Sequence, residues 1–221
     1  ESGLDIDRPV ASIDPKLPPV FAGITLRHLL THSSGIRHYK NSRDWRKFAA
    51  LRCEEPRDAV AFFEDDELEF EPGAETLYTT YGMALASHLL VALSDAGSYE
   101  AALNAALGLE NPLVLDSDDA DKATGYWIKR KKMVPVEDLN AQCKFGGGGL
   151  LASARQLAEA GQALYSGKIL PLDAARALLT EEGGSLSRFR YGMATVQVDG
   201  ADGGKRLLVG MGGGSPGGRG Y

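Results

Sequence analysis

One uncharged stretch, "YGMALASHLLVAL" (81–93), constrains this chain more than any other. It holds no Asp, Glu, Lys or Arg and is rich in Ala and Leu, strong helix formers. It falls short of the roughly 20 residues that a bilayer-spanning helix needs, and no other apolar run comes closer. The stretch therefore reads as a helix buried in a folded body. Shorter helical patterns surround it. Thr25 can cap a helix over 26–32, with Leu26, Leu29 and Leu30 on one face and Gly35 as its stop. Residues 43–64 read as helical and amphipathic, and further helices fit 98–107, 153–165 (Ser153 as N-cap) and 171–180.

The pattern changes towards the end. "RYGMATVQV" (190–198) alternates like a strand, "DGADGG" is hairpin-turn chemistry, and "KRLLVGM" (205–211) is the return strand. A further strand fits 124–128. Helices followed by an antiparallel hairpin give an α+β class, with a helical region over about 24–180 and a sheet hairpin over about 190–212. A lone hairpin is marginal in water, so this one needs more sheet than the chain carries. The 221 residues do not start with Met, and Glu1 and Tyr221 read as cuts within a longer protein, truncated at both ends. Localisation is therefore open, since an export signal would lie upstream.

A net charge of −6 disfavours nucleic acid as a partner. The single basic run, Lys129-Arg130-Lys131-Lys132, reads as a solvated loop or turn. Cys53 and Cys143 lie far apart and in no zinc spacing, so a disulfide between them stays open. His28 and His32 are four apart on one helix face, as in some zinc sites. Leu29 stands where such a motif carries Glu, and a third ligand is missing. No metal is expected, and His32 is expected to bond the backbone around Ser33-Ser34-Gly35. Gly213-Gly214-Ser215-Pro216-Gly217 fits the pattern of a nucleophile elbow. Pro216 lacks the N–H that the oxyanion hole needs, and no histidine follows His88. Gly212, Gly214 and Gly217 match a dinucleotide fingerprint without its following helix.

Five blocks carry a resemblance: "ESGLDIDRPV", "ITLRHLLTHSSGIRHY", "FEPGAETLYTTYGMALASHLL", "FGGGGLLASARQLAEAGQALYSG" and "YGMATVQV" with "RLLVGMGGGSPGG". In this order the chain resembles the serine β-lactamase and penicillin-binding-protein superfamily. The likeness is to its class C β-lactamase-related branch, nearest the mitochondrial-type members and their bacterial relatives. The resemblance implies a β-lactamase/transpeptidase-like fold and acyl transfer through a serine ester. It implies an ester, β-lactam or small-peptide substrate, no cofactor, and room for self-association. Tyr78 matches the family's proton-transferring Tyr, and Thr80 stands where many relatives carry Asn. Met211, Gly212, Gly213 and Gly214 fall on the strand that edges the substrate and helps form the oxyanion hole. Met211 replaces a Lys or His, and a thioether carries no charge. None of the 14 serines has Lys three residues on. The nucleophilic Ser-x-x-Lys is expected about four helical turns before Glu1, which leaves this chain inactive alone. The competing expectation is a catalytically dead scaffold.

Overall fold

The computed structural model describes residues 5–117, 121–136, 140–175, 189–190, 193–215 and 218–220. It is α+β. Among the described residues the helices include α1 Leu26–Leu30, α2 Ser42–Ala49, α3 Pro56–Val60, α4 Thr80–Ala92, α5 Tyr99–Leu107 and α6 Ala154–Tyr165. The strands are β1 Val114–Leu115, β2 Tyr126–Lys129, β3 Lys132–Pro135, β4 Leu150–Leu151, β5 Phe189–Arg190, β6 Met193–Asp199, β7 Lys205–Gly210, β8 Gly213–Ser215 and β9 Gly218–Gly220. All pair antiparallel, as β1–β4, β2–β3, β5–β6–β7 and β8–β9.

The uncharged stretch is α4, and it lies at the centre. Tyr81, Ala84, Leu85 and Leu89 are fully buried. Around them pack Val10, Phe21, Ile24 and Leu29 from the first thirty residues, Phe48 and Val60 from α2 and α3, Phe63 from the turn after α3, and Phe145. Thr79 caps α4, its side chain accepting from the Gly82 N–H. His88, on the outer side of α4, holds the leading segment through Asp14, Nε2 to Oδ2 2.8 Å.

Three differences from the sequence reading have physical causes. The 43–64 pattern breaks between Ala49 and Pro56, because proline cannot continue a helix but starts one well. That break delivers Cys53 to Cys143, and the two form a disulfide. Helix α1 stops before Gly35: Thr31 follows Leu30 as its cap, and His32 already has φ +55°. Strand β7 ends at Gly210, so Met211 and Gly212 lie between β7 and β8 rather than inside a strand. The basic run forms the tip of the β2–β3 hairpin, with Arg130 and Lys131 as its turn. Residues 172–175 are helical. The remainder of that expected helix lies outside the described residues, as do Pro216 and Gly217.

Candidate functional site

The site grows from two segments bonded side by side. Thr25 caps α1: its Oγ1 accepts from the His28 N–H, and its own N–H donates to His28 Nδ1, both at 3.2 Å. A histidine thus fills the capping-box place that Glu or Gln usually takes. The chain then turns through buried Thr31, His32, Ser33, Ser34 and Gly35. Gly35 has φ +78°, and a Cβ there would lie 2.1 Å from the Phe70 carbonyl oxygen, so only glycine fits.

Segment 69–80 lies along this turn. N–H groups of Glu69, Gly73 and Leu77 donate to the carbonyls of Gly35, Ser33 and His32, each at 2.8 Å. The Thr79 N–H donates to His32 Nδ1 at 3.3 Å and the Thr80 N–H to His38 Nδ1 at 3.2 Å. The Thr79 hydroxyl donates to the Arg37 carbonyl at 2.6 Å. His32 therefore serves the 72–82 block, 47 residues away, a partner that the sequence reading did not foresee. Both imidazoles accept at Nδ1, which places the neutral ring's proton on Nε2. Burial lowers the pKa of His32 to about 4, with a smaller push from His38. Burial also lowers that of His38, helped by Lys144 and Arg37.

Three tyrosines meet here and differ in access. The Tyr81 ring is buried, stacks on Phe63 at 4.9 Å and lies under the Arg37 guanidinium at 4.8 Å. Arg37 itself pairs with Asp44 and Asp66 at 2.8 and 2.7 Å. Burial raises the Tyr81 pKa, and it pushes Tyr39 up to about 12. Tyr78 is 40% exposed, its ring 4.7 Å from that of His32 and 5.4 Å from that of His38. It is the open phenol of the three, held by backbone on both sides. Thr80 is buried at the first turn of α4.

The glycine run supports Thr80 from the other side. A Cβ on Gly147 would come within 2.6 Å of Thr80 Cγ2 and 3.0 Å of its carbonyl oxygen. This close approach explains glycine there. The same turn, Gln142–Gly147, carries Cys143, whose disulfide to Cys53 fastens it to the α2–α3 break. It also carries Lys144, whose Nζ lies 6.0 Å from the Trp45 ring centre and whose pKa burial lowers. The sequence reading missed Lys144, Trp45 and Arg37 as neighbours. Their separation along the chain offered no spacing that would have found them.

The structure thus brings Tyr78 and Thr80 together on one platform. Met211 is 39% exposed and Gly212–Gly214 are exposed too, with open space where a Cβ on Gly213 would stand. Gly213 and Gly214 pair with Gly220 and Arg219 in β8–β9. Among the described residues, Ser215 is followed by strand β9. Among the described residues no three His, Cys, Asp or Glu side chains gather as a metal site. His28 and His32 each commit Nδ1 to a backbone N–H.

A sequence profile described as Beta-lactamase matches residues 1–221. Among solved structures, a D-stereospecific amidohydrolase from Streptomyces sp. superposes with TM-score 0.72 at 21% identity, over 96% of this chain and 68% of its own. A penicillin binding protein from Bacillus halodurans gives 0.69 at 22%, over 90% and 63%. The octameric penicillin-binding protein homologue from Pyrococcus abyssi gives 0.70 at 25%, over 96% and 51%. The chain spans between 51% and 68% of the length of these three. No curated protein matches it.

Proposed function

We propose, from the premise that this chain belongs to the beta-lactamase family, that it is part of a serine hydrolase working through an acyl-enzyme. Residues 1–221 are then an incomplete serine β-lactamase-like domain, inactive alone. The substrate is an ester, a β-lactam or a small peptide. The amidohydrolase and penicillin-binding neighbours support that range. The nucleophilic Ser-x-x-Lys belongs to residues preceding Glu1. Its Oγ attacks the substrate carbonyl carbon, and its proton passes through the Lys and Tyr78 to the leaving group. Water then cleaves the ester and restores the serine. Thr80 holds Tyr78 in place, and Met211–Gly214 form the edge along which substrate lies, with the Gly214 N–H offered to the oxyanion.

One observation carries this reading. An open phenol stands where the backbone N–H groups at 77, 79 and 80 are all tied to His32 and His38. A solvent-facing side chain on so fixed a backbone suits proton transfer, which tolerates little misplacement. The test is Tyr78→Phe in the full-length parent. We expect kcat/KM to fall by about 10²–10⁴, with the melting temperature measured alongside so that loss of chemistry is told from loss of fold. Full turnover by the variant would sink the reading.

A second reading, a catalytically dead scaffold, rests on Met211, which cannot donate a proton or carry charge. Met211→His in the parent separates the two. Turnover that appears only in the variant supports the scaffold, and turnover already present in the wild type removes it.

A further inference from the structure

The β2–β3 hairpin is exposed along all eight of its strand residues. Its register pairs Tyr126 with Pro135 and Ile128 with Met133, which places four apolar side chains on one face. Ile128 is 80% and Met133 70% exposed. The alternate pairs put Trp127 and Val134 on the other face, with Lys129 and Lys132 nearer the tip. Arg130 and Lys131 form the turn, with φ of 48° and 64°. Four consecutive cations thus crown an apolar hairpin. None of them makes an ion pair with a described residue.

The charge pattern selects the occupant. In a chain of net charge −6, four clustered cations are a local reversal of sign, so the partner is anionic. Nucleic acid or an acidic protein would need the cations alone and would leave Tyr126, Ile128 and Met133 in water. A bilayer with anionic lipid offers both parts at the right depth. Phosphates lie at its surface, and an apolar boundary begins about 5–10 Å below. Trp and Tyr are also the side chains that favour this interface. No helix among the described residues is long and apolar enough to cross a membrane.

We propose that the β2–β3 hairpin docks the protein on an anionic bilayer. The Tyr126, Ile128, Met133 and Pro135 face rests in the headgroup–acyl boundary, and the cations at 129–132 reach the surrounding phosphates. Docking of this kind brings a hydrolase to substrate made or held at a membrane surface.

Flotation of the intact protein with lipid vesicles tests this. The protein should float with phosphatidylcholine–phosphatidylglycerol vesicles and not with phosphatidylcholine alone. Arg130→Gln with Lys131→Gln should weaken binding about thirtyfold, at roughly the energy of two surface cations, and added salt should weaken it further. Ile128→Ser with Met133→Ser should abolish flotation without moving the melting temperature. Absence of flotation by the wild type overturns the proposal, as does undiminished binding by the serine variant. So does dissociation of an oligomer by that variant without any vesicle binding, which would make the face a contact between copies. Turnover of a soluble substrate should be unchanged in every variant, so failure here leaves the role of Tyr78 untouched.

Discussion

His32 fixes the site through an acceptor that exists only while its ring is neutral. In the fold, burial brings its pKa from 6.5 down to about 4. The unfolded chain therefore takes up this proton more readily. The stabilisation is complete above pH 6.5 and drains as pH falls towards 4. Its full size is about 3 kcal/mol. His38 and His28 shift the same way and add to the acid limb. Denaturant midpoints measured from neutral to acid pH should show that loss. In His32→Asn much of it should vanish, since the amide oxygen accepts without titrating and Asn tolerates the positive φ. An acid limb as steep in the variant as in the wild type would remove His32 from this role. The blocks containing Tyr78 and His32 were legible in the sequence, but their bonding was not. Partners 42 and 47 residues apart leave no periodic signal.

Among the elements, local chemistry was read well and tertiary ties poorly. Thr25 and Ser153 cap the helices expected of them, and the uncharged stretch became α4. The cysteine spacing alone could not decide for or against a disulfide, because pairing depends on where the α2–α3 break falls. Proline at 56 set that break, and an amphipathic pattern running across it concealed the change of direction. The Cys53–Cys143 bond closes 90 residues and clamps the turn that abuts Thr80. Reduction should cost about 4 kcal/mol in the chain-entropy account and lower the melting temperature by roughly 10 °C. Thermal melts with and without reductant, alongside thiol titration of the denatured protein, check this. Two free thiols before reduction, or equal melts, would contradict it.

At the scale of the molecule, the chain combines a well-packed helical body with short antiparallel sheets. Phe48, Phe63, Tyr81 and Leu85, from stretches whose apolar spacing marked them as helical, make a core that Phe21 joins from the leading segment. The sheet was legible as a turn and two alternating runs. Its edge at 211–214 was placed one residue too far into a strand, because glycine carries no side-chain alternation to read. In the function proposed above, this body forms one wall of an acyl-transfer site whose nucleophile lies outside these 221 residues. The most direct test is to treat the full-length parent and this chain alone with a fluorescent penicillin and a fluorophosphonate, then map the modified residue by peptide mass spectrometry. We expect label on a Ser-x-x-Lys serine preceding Glu1 in the parent and none on the isolated chain. Label on any of the 14 serines here, or none on the parent with either probe, would contradict it.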